Sequence, residues 1–372
     1  MKYYIIAGEA SGDLHGSNLI KEIHKKDPQA SVRAWGGDLM EKAGAHLVKH
    51  YRDLAFMGFL EVLLNLGTIL KNIKKCKSDI LDFKPDILIF IDYPGFNMRI
   101  ARWAKAQGIR THYYIAPQVW AWKENRVKAI KRDVDKMSVI LPFEKQFFEE
   151  KHQFPVHFVG HPLLDAVEAF QAGSEEDFRN SNGLDPKKPI IALLPGSRKQ
   201  EIRKMLTVML QSAKKFSNYQ FVIAGAPGQE EAFYKPFLSN ETNVFWVHNQ
   251  TYKLLSFSYA ALVTSGTATL ETALFEVPQV VCYKGNGVSY QIAKRIVNLD
   301  YISLVNLVLE KEVVTELIQS DCHANRVTQE LEAILHSKKR SFVLSQYILL
   351  KTQLGGKGAS QRVAEAIINQ LS

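Results

Sequence analysis

Short apolar runs alternate along this chain with segments of helical periodicity, and this pattern predicts parallel sheets covered by helices. The predicted strands lie at residues 2–7, 85–92, 111–115, 134–141, 156–159, 189–194, 219–224, 243–247, 260–263 and 277–282. The predicted helices include residues 14–25, 97–107, 144–151, 289–299, 311–319 and 359–371. Residues 301–306 are expected to be extended, and residues 355–358 to form a turn before the last helix.

The strand and helix order is interrupted once, at the polar segment 171–188, so the sequence predicts two domains. Each half opens with a strand, a glycine-bearing turn and a helix, as doubly wound sheets do. We therefore expect an α/β fold of two Rossmann-like, doubly wound domains that face a cleft. The predicted boundaries are 1–165 and 166–345, with a tail at 346–372 whose helix either packs back on the first domain or is exchanged between chains. A chain of 372 residues is long enough to give each domain its own core.

Two turns in the second half are typical of phosphate binding. The turns at 195–198 and 264–267 each place small residues between a strand and a helix, which exposes backbone N–H groups to an anion. Arg198 adds a forked donor, and Glu271 lies one helical turn along, where a ribose would need an acceptor. Two such turns favour a nucleotide diphosphate over ordinary capped turns. The predicted donor-site residues are Gly196, Ser197, Arg198, Ser265, Gly266, Thr267 and Glu271.

Asp92 ends the clearest predicted strand, and ligands of open α/β sheets collect beyond the carboxyl ends of strands. A carboxylate there is a candidate general base, and it is equally a candidate cap for the helix that follows. Other loops at strand ends supply candidates for the acceptor side of a site. These candidates are Glu9, Ser11, Gln118 and Trp120.

Residues 56–77 combine a leucine-rich run with a cluster of lysines. An apolar helix that ends in lysines suits a membrane interface, where each lysine near anionic headgroups contributes roughly 1 kcal/mol. A core helix with a solvated end is the alternative. The predicted membrane-docking residues are Phe59, Leu60, Leu63, Leu64, Leu66, Lys71 and Lys74.

The composition restricts the classes of protein without choosing among them. The formal net charge is +9, with most of the excess in residues 1–165, which suits nucleic acid, an anionic membrane or a phosphorylated substrate. No apolar run is long enough to cross a bilayer, and residues 1–7 do not have the form of a signal peptide. The three cysteines are scattered without metal-ligand spacing, so we predict neither disulfides nor a metal site. We also expect no cofactor.

Nine motifs together make the chain resemble the lipid A disaccharide synthases, inverting glycosyltransferases of the GT-B fold. They occur in the family's order over nearly the whole chain: 8–13 (GEASGD), 57–62 (MGFLEV), 91–97 (IDYPGFN), 117–122 (PQVWAW), 141–144 (LPFE), 160–162 (GHP), 194–198 (LPGSR), 265–271 (SGTATLE) and 300–306 (DYISLVN).

The resemblance implies transfer of 2,3-diacylglucosamine from its UDP derivative to lipid X, with release of UDP. It implies Asp92 as the base, Arg198 as a donor-phosphate contact and Asn306 as a further active-site residue. Relatives often have aspartate where this chain has Gly95, which leaves Asp92 as the only acid in its turn. The family also implies a location on the inner face of the inner membrane, no nucleic acid as partner, and a homodimer with exchanged tails as one possible assembly.

Two other classes of function stay open on the sequence. A UDP-sugar 2-epimerase, or a glycosyltransferase with a soluble acceptor, would use two similar halves but would not need residues 56–77. A non-catalytic protein that binds membrane or RNA would account for the charge, but it would not account for glycine-bearing turns beyond two separate strands.

Overall fold

The computed structural model describes residues 1–54, 66–226, 228–239, 241–285 and 299–371. The chain divides into two compact units, and the first is built from two separate stretches, Met1–Asp165 and Leu354–Ser372. The second unit is the continuous stretch Ala166–Gln353. The predicted boundary between residues 345 and 346 lies inside a helix of the second unit, described below.

The first unit is a parallel sheet with helical connections. Its strands are β1 (Lys2–Ala7), β2 (Ser31–Gly36), β3 (His46–His50), β4 (Ile87–Ile91), β5 (Thr111–Tyr114), β6 (Lys136–Val139) and β7 (His157–Phe158). The helices between them are α1 (Ala10–Lys26), α2 (Asp38–Lys42), α3 (Leu66–Phe83), α4 (Pro94–Ala106), α5 (Val127–Asp133) and α6 (Pro142–Gln146). Short 3₁₀ turns lie at Tyr51–Asp53 and Glu124–Arg126, and a π-helical turn, Phe147–Lys151, extends α6. Among the described residues the strand order is β3-β2-β1-β4-β5-β6-β7.

The second unit repeats the same design after helix α7 (Pro162–Ala169), which spans the boundary. Its strands are β8 (Ile190–Leu194), β9 (Gln220–Gly225), β10 (Val244–His248), β11 (Ser258–Thr264), β12 (Gln279–Tyr283) and β13 (Glu316–Ile318). Its helices are α8 (Glu175–Ser181), α9 (Lys199–Ala213), α10 (Glu231–Leu238), α11 (Thr251–Ser256), α12 (Thr267–Leu274), α13 (Leu304–Leu309), α14 (Ala324–Leu335) and α15 (Ser337–Gln353). The parallel strands that the structure describes here run in the order β10-β9-β8-β11-β12-β13.

Alternation along β8 shows why this sheet has helices on both faces. Ile191 and Leu193 belong to one apolar cluster, whereas Ile190, Ala192 and Leu194 belong to a second. Parallel sheets are buried on both faces because their crossover helices cover them. The uninterrupted apolar runs that predicted these strands reflect this double burial, and the predicted α/β fold class is confirmed.

The chain returns to the first unit in its last helix, α16 (Ala359–Leu371), which packs on α1. Asp165 accepts hydrogen bonds from the backbone N–H groups of Gly358 and Ser360, at 2.7 and 2.9 Å, and so holds the start of the helix. Arg362 donates to the carbonyl oxygens of Val159 and Gly355. These contacts join the two stretches of the first unit, and the predicted turn before this helix is confirmed.

Two predicted elements are wrong. Residues 311–319 form turns and strand β13 instead of a helix, because the β-branched run at 313–315 leads into an edge strand that pairs with β12. Residues 304–306 are helical instead of extended, because Ser303 caps α13 by accepting a hydrogen bond from the backbone N–H of Asn306. The predicted helix at 289–299 lies outside the described residues except for residue 299.

Candidate active site

The first unit places its motif residues at the carboxyl ends of two neighbouring strands, β1 and β4. The chain leaves β1 toward one edge of the sheet and leaves β4 toward the other, so a crevice opens between their ends. Glu9 and Ser11 are exposed where α1 begins after β1, and Asp92 follows β4 directly. The fold therefore brings Glu9, Ser11 and Asp92 to the same end of one sheet.

Asp92 and Tyr93 form a strained turn, because both have positive φ angles, of 44° and 49°. The strain is held by neighbours. The Asn97 side chain donates a 2.7 Å hydrogen bond to the carbonyl oxygen of Asp92, and the Tyr113 hydroxyl donates to the same oxygen at 2.6 Å. Gly8 faces this turn, and any Cβ there would lie 2.3 Å from the Tyr93 ring. Helix α4 begins after Tyr93 without a side-chain cap, so the alternative role of Asp92 as a helix cap is wrong.

The environment of Asp92 suits a base that works near neutral pH. Burial raises the pKa of its carboxyl to about 6, and the negative charge of Glu9 adds to the rise. A hydrogen bond from the backbone of Tyr93 opposes the shift. Gly95 is exposed, and apart from its chain neighbours and its own helix backbone nothing lies within 4 Å of where a Cβ would stand, so this position has room for a side chain.

The loop after β5 carries Gln118, which is exposed, and Trp120, which is half-buried. The Trp120 indole N–H donates a 3.1 Å hydrogen bond to Glu144, and its ring meets Phe143 edge to face at 4.8 Å. Glu144 also accepts from the backbone N–H groups of Ile140 and Leu141, and burial raises its pKa to about 7. Glu144 was not among the predicted site residues, although the LPFE motif contains it.

The second unit has a cavity of about 560 Å³ at the carboxyl ends of β8 and β11, which are also neighbours in their sheet. Its lining includes all seven predicted donor-site residues: Gly196, Ser197, Arg198, Ser265, Gly266, Thr267 and Glu271. Gly196 and Gly266 have φ angles of 100° and 151°, a region that favours glycine. The lining also includes residues outside the predicted set of seven, among them Thr251, Thr264 and Tyr283. The Thr264 hydroxyl is buried and has no hydrogen-bond partner in the described structure.

Three charged side chains line this cavity, two carboxylates and one guanidinium. Glu271 is held by a 2.9 Å hydrogen bond from the Tyr252 hydroxyl, and burial raises its pKa above the ordinary value. Glu201 accepts from the backbone N–H of Ser197 at 3.1 Å and packs closely on Gly196. Arg198 is exposed, and no hydrogen bond or ion pair links its side chain to any other residue that the structure describes. Its guanidinium is free to bind an anionic ligand.

Asn306 is fully buried and braces the segment behind the Ser265 turn. Its side-chain amide donates to Val314 O and Glu316 Oε1, and its side-chain oxygen accepts from the backbone N–H groups of residues 313 and 314. Glu316 in turn accepts from the backbone of residues 302 and 303, while Ser265 Oγ donates to Ile302 O at 2.9 Å. All the hydrogen-bonding groups of Asn306 are thus engaged within its own unit.

The predicted membrane-docking residues are described only in part. Phe59, Leu60, Leu63 and Leu64 lie outside the described residues, and Leu66 is the first residue of α3. Lys71 and Lys74 are exposed on α3, as is Leu70. No described helix has the length and apolar character needed to traverse a bilayer. The described residues also contain no cluster of three histidine, cysteine or acidic side chains arranged to hold a metal ion.

The family model and the sequence relatives that this chain matches all carry the same name, lipid-A-disaccharide synthase or synthetase. A family model described as lipid-A-disaccharide synthetase matches residues 3–367. The chain is 40% identical over 376 residues to a lipid-A-disaccharide synthase of Geobacter metallireducens, which covers 99% of this chain and 96% of the relative. It is 37% identical over 370 residues to that of Coxiella burnetii, with 98% and 97% of the two chains covered.

Comparison with solved structures reports on the fold. The UDP-GlcNAc 2-epimerase of Neisseria meningitidis, bound to UDP-GlcNAc, matches with a TM-score of 0.73 at 15% identity, over 99% of this chain and 100% of that one. The calicheamicin glycosyltransferase CalG4 matches with a TM-score of 0.61 at 16% identity, over 100% and 99%. At such identities the likeness concerns the fold alone, which is the two-domain GT-B type expected from the sequence.

Proposed function

This chain belongs to the lipid-A-disaccharide synthase family, and on that premise we propose how its residues divide the chemistry of one hexosyl transfer. The reaction joins 2,3-diacylglucosamine, carried by UDP, to lipid X, which is 2,3-diacylglucosamine 1-phosphate. The products are the β-1′,6-linked disaccharide 1-phosphate and UDP. The epimerase and the non-catalytic alternatives are not favoured, because the sequence relatives at about 40% identity are disaccharide synthases.

Asp92 is the proposed general base, and its position at the end of β4 is the observation that carries the proposal. A sugar hydroxyl is a poor nucleophile at neutral pH, and a carboxylate can remove its proton as the new C–O bond forms. Burial and Glu9 raise the pKa of Asp92 to about 6, so it is ionised at neutral pH yet more basic than an ordinary aspartate. A single displacement at the anomeric carbon inverts its configuration without a covalent sugar intermediate.

The cavity of the second unit is the proposed donor site. As the anomeric C–O bond breaks, negative charge develops on the UDP diphosphate, and donors that are already in place stabilise it. Arg198, the turn at 195–198 and the start of α12 supply such donors. Glu271 is the proposed acceptor for the ribose hydroxyls, because Tyr252 and burial hold its carboxylate in the cavity.

The remaining predicted residues receive supporting roles. Glu9 and Ser11, at the start of α1, and Gln118 and Trp120, on the loop after β5, are the proposed acceptor-side residues. Asn306 is the proposed positioning residue for the segment that holds Ser265, because its amide is buried and fully hydrogen-bonded. The proposal also includes a homodimer as one assembly of the protein, and it includes no nucleic acid among the partners.

Synthesis of the disaccharide is the direct test of the function. Purified protein incubated with the UDP-linked sugar and lipid X should yield the disaccharide 1-phosphate and an equal amount of UDP, identified by mass spectrometry. Free UDP-N-acetylglucosamine in place of the lipid donor serves as the control. Epimerisation of that control sugar, without disaccharide from the lipid substrates, would contradict the proposal.

We also propose that the protein works at the cytoplasmic face of the inner membrane, where residues 56–77 dock. Leu70 is 56% exposed beside Lys71, and such an apolar and basic surface suits anionic lipids. Replacement of Leu63, Leu64 and Leu66 together by serine should weaken binding to anionic vesicles at least about tenfold. The reason is that each leucine side chain inserted into the bilayer would contribute roughly 1.5–3 kcal/mol to the free energy of binding. Co-sedimentation with vesicles measures the loss.

A matched control comes from the other end of α3, where Leu81 is also exposed. Leu81→Ser should leave vesicle binding unchanged, and added salt should weaken the binding of the native protein if the lysines contribute. Undiminished sedimentation of the triple variant, in low and in high salt, would show instead that these leucines belong to a core helix.

A further inference from the structure

The loop that joins β5 to α5 carries a compact group of two cations around one indole ring. Lys123 Nζ lies 4.3 Å from the centre of the Trp122 ring, and the guanidinium carbon of Arg126 lies 5.6 Å from it. Trp122 is 45% exposed, and both cations are exposed as well. The ring therefore gathers two positive charges at the surface of the first unit.

These two charges have no acidic partner within the described structure. Glu124 lies between them in sequence, but its carboxylate pairs with Lys151 at 2.9 Å and with His152 at 3.0 Å. These contacts hold the pKa of Glu124 below its ordinary value. Neither Lys123 nor Arg126 makes a side-chain hydrogen bond or ion pair to another described residue. Two neighbouring cations without a counter-charge attract an anion, and a phosphate in particular.

The loop is held in place by contacts just before the group and by a hydrogen bond within it. The Trp120 indole is fixed by its hydrogen bond to Glu144, which is only 2% exposed, and by the edge of Phe143. Lys123 has a positive φ of 58°, and its carbonyl oxygen accepts from the backbone N–H of Arg126 in a 3₁₀ turn. A non-glycine residue in this conformation is maintained by its surroundings, which orients the two cations before any ligand arrives.

This group follows the strand next to the proposed base. Strand β5 pairs with β4, which ends at Asp92, and the Tyr113 hydroxyl of β5 donates to the Asp92 carbonyl oxygen. The loop thus leaves the same end of the sheet at which the acceptor hydroxyl must meet its base. The diphosphate of UDP is already assigned, under the proposed function, to the two turns that line the cavity of the second unit. The acceptor in this reaction carries its own phosphate, for which no residue has yet been assigned.

We propose that Lys123 and Arg126, held around Trp122, bind the 1-phosphate of the acceptor and so select a phosphorylated acceptor sugar. The assignment rests on the proposed function and names the residues that read one part of its substrate. Arg126 offers two parallel N–H donors to the phosphate oxygens, and Lys123 offers a point charge. The indole ring holds the two cations beside each other.

The test measures the preference of the enzyme for a phosphorylated acceptor. Lys123→Ala and Arg126→Ala are assayed with lipid X and with the same diacylated sugar lacking the phosphate, in detergent micelles without anionic lipid. Each variant should raise KM for lipid X about tenfold, the loss expected for one charge-assisted hydrogen bond. With the unphosphorylated sugar, kcat/KM should change less than about twofold. Arg126→Lys should recover part of the loss.

Lys128→Ala is the matched control, because Lys128 is an exposed lysine close by on α5, and it should behave as the native enzyme does. Thermal unfolding checks that each variant is folded, and the affinity for UDP should be unchanged. An equal loss with both acceptors, or no loss with either, would overturn the assignment. A loss of vesicle binding without a change in KM in micelles would also overturn it and would assign the group to bilayer phosphates. If the native enzyme makes no disaccharide from lipid X, the proposed function itself fails.

Discussion

Replacement of Asp92 by asparagine is expected to lower kcat by about 10²–10⁴-fold, the usual contribution of a positioned general base. Asparagine has nearly the same shape and can still occupy the turn that Asn97 and Tyr113 hold, so the fold and donor binding should persist. Steady-state kinetics with both lipid substrates measures the loss of turnover, and calorimetry with UDP measures donor binding. Turnover close to that of the native enzyme would exclude Asp92 as the base.

The role of Asp92 as the base also predicts how activity depends on pH. Because burial and Glu9 raise the pKa of Asp92 to about 6, the carboxylate becomes protonated, and activity should fall, as the pH drops through about 6. Glu9→Gln removes the neighbouring negative charge, which lowers the pKa of Asp92 and moves this acid limb to lower pH. An acid limb that stays in place in Glu9→Gln would mean that another group controls it.

The same pKa shift affects stability with a definite sign. A carboxyl whose pKa is higher in the folded state than in the unfolded state favours folding most when it is protonated, and the benefit is lost as the pH rises through its folded pKa. Ionised Asp92 therefore destabilises the fold above about pH 6. The asparagine variant, which cannot ionise, should show a melting temperature no lower than that of the native protein at pH 8. Such a result separates loss of the base from loss of the fold.

Replacement of Arg198 by alanine is expected to weaken UDP binding by about ten- to a hundredfold. Charge-assisted hydrogen bonds to phosphate contribute about 1.5–3 kcal/mol, and this guanidinium has no competing partner among the described residues. Lysine at the same position keeps the charge but loses the fork, so Arg198→Lys should lie between alanine and the native enzyme. Calorimetry with UDP gives the three affinities.

Lys199 provides the control for this prediction. It is the next residue, it is exposed, and it lies 6.0 Å from the Phe233 ring and outside the cavity lining. Lys199→Ala should leave UDP affinity within about twofold, which shows that the loss follows position and not the removal of a positive charge. Equal losses for Arg198→Ala and Lys199→Ala would reduce the role of Arg198 to general electrostatic attraction.

The strand ends could be predicted from sequence because their signals are local. Apolar runs locate β4 and β11, and the residue that follows each run is at the carboxyl edge of a parallel sheet. This rule located Asp92, and together with the small-residue turn that follows β11 it located Ser265. That β1 pairs with β4, and β8 with β11, is a matter of long-range pairing, and the pattern of one segment carries no information on it.

The residues that hold the loops were missed for the same physical reason. Glu144 accepts a hydrogen bond from Trp120, which lies 24 positions earlier in the chain. Tyr252 donates a hydrogen bond to Glu271, which lies 19 positions later. A glutamate in a helical segment normally indicates a solvated face, and its burial becomes visible only when its partners are in place. The error at 311–319 has a related origin, since an edge strand is defined by the strand it joins and not by its own periodicity.

The first unit is assembled from residues that are far apart in the order of synthesis. Helix α16, which covers α1, is translated only after the whole of the second unit, on the order of ten to forty seconds later at ordinary elongation rates. The face of α1 that α16 covers is thus without its partner helix during that interval. By contrast, every strand of the continuous second unit has been synthesised before α16 is made. We therefore expect the nascent chain to expose a face of α1 that is covered once the first unit is complete.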